Sequence, residues 1–135
     1  MPVVLIGVLS APPIYPTKSD PMGEVIEVMT CDKGLGLAGT ATHNIGLYGI
    51  AAQYGFSFGP LRLIPQVGIS HDAYGYKELP MGTQFGVGGT MLLDMGSLWI
   101  GVKYWHLSNA GLHDTARAPN TGMDFIGGVI GVSVR

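Results

Sequence analysis

From Leu98 to Ser108 the chain alternates: Leu98, Ile100, Val102, Tyr104, His106 and Ser108 fall on one face, and Lys103 falls on the other. From Met123 to Arg135 it alternates again, with Asp124, Ile126, Gly128, Ile130, Val132 and Val134 together. A period of two belongs to a strand, whose successive side chains point to opposite faces. The aliphatic face is nearly continuous, while the other carries Lys103, Gly101, Gly127, Gly131 and Ser133. A strand in a membrane barrel turns its aliphatic face to lipid and keeps a lysine inside. Composition favours that reading. Charged residues make up 12% of the chain, against about 25% in ordinary soluble domains. Glycine occupies 22 of 135 positions, about twice its usual share. No run approaches the roughly 18 apolar residues of a spanning helix, so lipid would be crossed by strands of about 9–11 residues.

Taken in order, the chain reads as strands over 2–10, 24–30, 35–43, 46–58, 61–70, 83–93, 98–108 and 123–135. A loop with Pro12, Pro13, Pro16 and Pro21 follows the first, and turns fall at Asp32-Lys33-Gly34, Asn44, Gly59-Pro60 and Asp94-Met95-Gly96-Ser97. Residues 71–81 read as a polar loop, and Pro65 predicts a bulge or strand end because it cannot donate to a ladder. Eight strands with no helical periodicity predict an all-β fold: a single eight-stranded antiparallel up-and-down β-barrel of outer-membrane type, one domain over 1–135.

The last two strands also carry chemistry. His106 and Ser108 are two residues apart on one strand face, with Cα atoms roughly 6.5–7 Å apart. That spacing lets an imidazole serve a serine hydroxyl, as nucleophilic acyl transfer requires. If 109–122 joins an antiparallel hairpin, the register that keeps the two apolar faces together sets Asp124 opposite His106. A slip of one residue would send the acid to the other face.

Two segments, His106-Leu107-Ser108-Asn109-Ala110-Gly111-Leu112 and Pro119-Asn120-Thr121-Gly122-Met123-Asp124, resemble the lipid A 3-O-deacylases, the PagL family of outer-membrane β-barrel esterases. The specific resemblance covers roughly residues 98–135. It implies a triad of Ser108, His106 and Asp124, the last standing where the family has a glutamate. It also implies that Asn109 and Asn120 help shape the oxyanion site and the active-site geometry; a backbone N–H near Ala110-Gly111 is expected to join Asn109 at the oxyanion. The substrate would be lipid A in lipopolysaccharide, the location a Gram-negative outer membrane, and the site would lie on the outer barrel wall beside membrane lipid. No cofactor or metal is required.

Other motifs read as structure. Gly34-Leu35-Gly36-Leu37-Ala38-Gly39 matches a dinucleotide fingerprint, but no helix follows it. Gly55-Phe56-Ser57-Phe58-Gly59 matches a nucleophile elbow, yet leads into another strand, and Tyr54, Phe56 and Phe58 read as an interfacial aromatic girdle. His43, His71-Asp72 and His113-Asp114 lack the clustering of a metal site and are placed in turns and loops. The lone Cys31 excludes an internal disulfide and reads as a small packed side chain. A net charge of −2 offers nothing to nucleic acid. The apolar stretch 2–11 lacks a basic flank and reads as a first strand rather than a signal peptide. The chain ends Val134-Arg135 rather than on an aromatic residue. These two features keep two alternatives open: a non-catalytic barrel with a structural role, as in a phage virion, and a location in a phage-infected cell. An esterase or acyltransferase of the same architecture acting on another lipid is a third, and a homodimer is left open.

Overall fold

Eight strands close on themselves: β1 (Val3–Ser10), β2 (Met22–Met29), β3 (Gly34–Thr42), β4 (Leu47–Phe58), β5 (Leu61–Asp72), β6 (Gly82–Asp94), β7 (Trp99–Ser108) and β8 (Met123–Ser133). In this computed structural model, which describes residues 2–10, 22–73, 82–108 and 122–134, every neighbouring pair is antiparallel. β1 pairs with both β2 and β8, so the ladder has no free edge. Closure matters in lipid, where an unpaired backbone amide has no water to turn to.

The faces sort as the alternation requires. Outward along β7 and β8 stand Ile100, Val102, Tyr104, Ile126, Ile130 and Val132, all solvent-accessible. Inward stand Trp99, Trp105, Leu107, Met123, Phe125 and Val129, all buried. The interior also holds Glu27, Gln53, Arg62, Gln66 and Lys103. Polar inside and apolar outside is the polarity of a wall that meets lipid.

The interior is filled rather than open. Lys103 Nζ lies 2.6 Å from Glu27 Oε2 and donates to Gln66 Oε1 at 2.7 Å. Gln66 donates in turn to Gln53 Oε1 at 3.1 Å, and the Thr40 hydroxyl donates to Glu27 Oε2 at 2.8 Å. A small internal cavity of about 20 Å³ beside Glu27, Gln66 and Lys103 remains, room for about one water. Towards one mouth, Arg62 reaches Asp32 at 3.1 Å, donates to the Gly59 carbonyl and lies over the Trp99 ring.

Short connections at 30–33, 59–60 and 95–98 lie at this mouth, and the strand ends Ser10, Met22, Asp72, Gly82, Ser108 and Met123, which border the longer connecting segments of the sequence, lie at the other. Tyr54, Phe56 and Phe58 all point outward near the short-turn end, with the Tyr54 and Phe56 rings 4.9 Å apart. Tyr48, Phe85 and Tyr104 form an outward aromatic set nearer the opposite end.

Two expectations are corrected. β5 does not stop at Ser70: His71 pairs with Tyr48 and Thr83, and Asp72 with Leu47 and Gly82. A lumen that accepts polar side chains lets Asp72 point inward, fully buried, so the hydrophobic alternation fades before the strand ends. Pro65 makes neither a bulge nor a strand end. The β4–β5 ladder omits Tyr54 and Gly55 opposite Pro65 and Ile64, then resumes in the same register at Phe56–Leu63. The missing N–H leaves a gap without inserting a residue. Cys31 sits half-buried in the β2–β3 turn, its Sγ 3.4 Å from the Leu35 carbonyl oxygen.

Candidate active site

The β7–β8 ladder sets His106 directly opposite Asp124. Both point outward, and their side chains remain about a third exposed, 35% and 29%. His106 Nδ1 lies 2.7 Å from Asp124 Oδ1. Directly opposed residues in an antiparallel pair have Cβ atoms about 4.5–5.5 Å apart, a gap that an aspartate can close without an extra methylene.

The strands that carry these groups are anchored from inside. On β7, Trp105 and Leu107 flank His106 in sequence and are buried; on β8, Met123 and Phe125 flank Asp124 and are fully buried. Trp105 needs space on β6, and Gly86 supplies it: a Cβ at Gly86 would stand 2.3 Å from the indole. The outer face of β7 thus rests on a packed inner layer, which limits how far the imidazole can drift.

Ser108 is the last residue of β7, on the same outer face as His106, and is paired across the sheet with Phe85 of β6. Asn109, Gly111 and Asn120, with His113, Asp114 and Arg117, lie outside the described residues. Two groups not singled out in the sequence join the site. The Tyr104 hydroxyl donates to Asp124 Oδ1 at 2.6 Å. Gly122 borders the imidazole on its other side, and a Cβ there would lie 2.9 Å from His106 Cε1 and 3.1 Å from Nε2. Tyr104 shares the parity of His106, and Gly122 stands in the Pro119-Asn120-Thr121-Gly122 motif. The signals were present, but contacts between side chains are not visible in spacing.

Nε2 is the imidazole atom free to face a hydroxyl once Nδ1 is turned to the acid. Gly122 combines a backbone φ of +74° with that close approach. Gly122→Ala should therefore strain the backbone and displace the ring, lowering any turnover that uses His106 Nε2 at least tenfold while the barrel still forms. Turnover measured beside heat-modifiable gel mobility checks this, and unchanged turnover would remove Gly122 from the site.

Below Asp124 on the same strand, Gly128 leaves a dip in the outer wall. The apolar groove over it spans about 600 Å³ and is lined by Ile6, Val8, Ile100, Val102 and Ile130 among others. Among the described residues, no group of three or more His, Cys, Asp or Glu side chains is placed to hold a metal ion.

A family model described as lipid A 3-O-deacylase (PagL) matches residues 32–133. Among solved structures, the crystal structure of the outer membrane enzyme PagL is similar with a TM-score of 0.53, covering 97% of this chain and 99% of that one at 13% sequence identity. No curated protein sequence matches. At such low identity the structural likeness speaks for the fold, and the family model speaks for descent.

Proposed function

The chain belongs to the lipid A 3-O-deacylase (PagL) family, and from that premise we propose that it is a serine esterase of the Gram-negative outer membrane that removes the 3-O-linked acyl chain of lipid A. The whole chain, 1–135, would form the one barrel domain that does so. The observation that carries the reading is the His106–Asp124 contact of 2.7 Å on the lipid-side wall, with Ser108 next along the same face.

In this reading Asp124 accepts a hydrogen bond from Nδ1–H, holds the imidazole in one tautomer and stabilises the imidazolium. His106 Nε2 takes the proton of Ser108 as Oγ attacks the ester carbonyl. The tetrahedral oxyanion is met by Asn109 and backbone N–H groups near Gly111, and Asn120 supports the loop end. Collapse of the intermediate breaks the C–O bond to the sugar, whose alcohol oxygen takes the proton back from His106. Water, deprotonated by the same imidazole, then attacks the acyl-serine, releasing a 3-hydroxy fatty acid and restoring the Ser108 hydroxyl.

Placement agrees with the substrate. Bacterial outer-membrane barrels have short periplasmic turns and longer external loops. The site lies at the barrel end opposite the short turns, which in this reading faces the outer leaflet where lipid A resides. The apolar groove at Gly128 runs along the wall below it and would take an acyl chain.

The test is to incubate the detergent-folded protein with lipopolysaccharide and weigh the lipid A by mass spectrometry. Loss of one 3-hydroxyacyl mass is expected. An unchanged mass from folded protein would reject the deacylase and favour a non-catalytic barrel. Turnover of other lipid esters alone would keep the chemistry and change the substrate.

A further inference from the structure

The contact that orients the imidazole is short, shared and about a third exposed. Asp124 and His106 have side chains 29% and 35% exposed, and ion pairs that wet hold their geometry weakly because water and salt compete for them. Aspartate also has one methylene fewer than the glutamate implied for this position, so its carboxylate has less reach to correct a drift. A second group is built against the same oxygen. Tyr104 lies on the outer face of β7, two residues before His106, and pairs across the sheet with Ile126 rather than with Asp124. It is therefore the diagonal neighbour of the acid, about 7–8 Å away at the backbone, a span that an aromatic side chain can cross. It does so: its hydroxyl meets Asp124 Oδ1 at 2.6 Å, and His106 Nδ1 meets that oxygen at 2.7 Å.

We propose that Tyr104 is a positioning residue of the active site, fixing the Asp124 carboxylate so that a short acid orients His106 at an exposed wall. This rests on the serine-esterase reading above. An ionised carboxylate is acceptor-only, so the two contacts on one oxygen are satisfied together when tyrosine O–H and imidazole Nδ1–H both donate. That arrangement leaves Nε2 without a proton and able to receive the one from Ser108. The tyrosine hydroxyl makes a short bond to an ionised partner, the strong kind. Its ring meanwhile stays 44% exposed among the outward apolar residues, the position of an amphipathic aromatic at the membrane interface. The same ring thus anchors in the apolar band and directs its polar tip at the acid.

Tyr104→Phe keeps the ring and removes the hydroxyl, so a purely interfacial anchor would not register it. On lipopolysaccharide carrying radiolabelled acyl chains, Tyr104→Phe should lower kcat roughly tenfold with KM unchanged. The decisive comparison repeats the substitution in an Asp124→Asn background. If Tyr104 acts through Asp124, the further loss from Tyr104→Phe there should fall to less than twofold. An unchanged kcat in Tyr104→Phe, or the same tenfold loss in both backgrounds, would overturn the proposal. Failure of the parent reading looks different, since wild type would then release no labelled chain. Heat-modifiable gel mobility identifies any variant that fails to fold, and Tyr104→Trp, which keeps an aromatic anchor but not the hydroxyl in place, should reproduce the loss.

Discussion

Ser108→Ala, folded in detergent and given lipopolysaccharide, is expected to leave lipid A at its full mass. Removing a triad nucleophile typically costs on the order of 10⁴- to 10⁶-fold in turnover, and removing its base costs about the same. His106→Ala should match Ser108→Ala, and the double variant should be no worse than either, because the proposed mechanism has both act in one step. Asp124→Asn should retain more, falling roughly 10⁴-fold, since the nucleophile and base survive and only orientation and charge stabilisation are lost. The ordering is as informative as the magnitudes. All three side chains point away from the barrel core, so the variants should fold and keep wild-type heat-modifiable mobility. If Ser108→Ala deacylated at the wild-type rate, the nucleophile would lie elsewhere, whatever the fate of the substrate assignment.

Lys103→Ala should produce the largest loss of stability, about 3–5 kcal/mol. Lys103 is 2% exposed, 2.6 Å from the fully buried Glu27, and its Nζ lies 5.1 Å from the Trp105 ring centroid. Deleting the ammonium strands a carboxylate inside the barrel with Thr40 and Gln66 as its neutral partners among the described residues. Replacing both charges, as in Lys103→Met with Glu27→Leu, should recover most of the loss, because the interior then no longer has to hold an unpaired charge. Urea unfolding followed by tryptophan fluorescence reads both. Lys103 and His106 share β7 but face opposite sides of the wall, so Lys103→Ala that remains folded should keep its rate on lipopolysaccharide. Equal stability of single and wild-type proteins would show that the pair contributes nothing net to the fold.

Much of this was legible in the residues alone. Alternation over 98–108 and 123–135 decided strand type, the outward and inward faces, and the His106–Asp124 register, because a period of two leaves each side chain one choice of face and a slip inverts them all. The register seen in β7–β8 is the inferred one. Low charge, abundant glycine and an isolated Lys103 carried the membrane barrel reading. Where the lumen accepts polar groups the signal fails: His71 and Asp72 read as loop because nothing hydrophobic marks an inward position in a polar interior. Pro65 predicts a bulge or strand end because a ladder donor is lost, whereas a barrel held on both sides of the gap tolerates one.

The contacts that shape the site belonged to the tertiary structure. Nothing in the order Tyr104, His106 and Asp124 says that two donors converge on one carboxylate oxygen, or that Gly122 lies within 3 Å of the imidazole once a Cβ is imagined there. Those depend on the diagonal offset between β7 and β8 and on rotamers chosen by packing. The partner of Lys103 is likewise Glu27, on a strand across the lumen and 76 residues away in sequence. Local sequence determined which face each side chain occupies, because that is a property of the strand itself. Tertiary packing decided which side chains meet, because the diagonal offset across β7–β8 and, for Lys103 and Glu27, the folding of the sheet around one lumen set the distances between them.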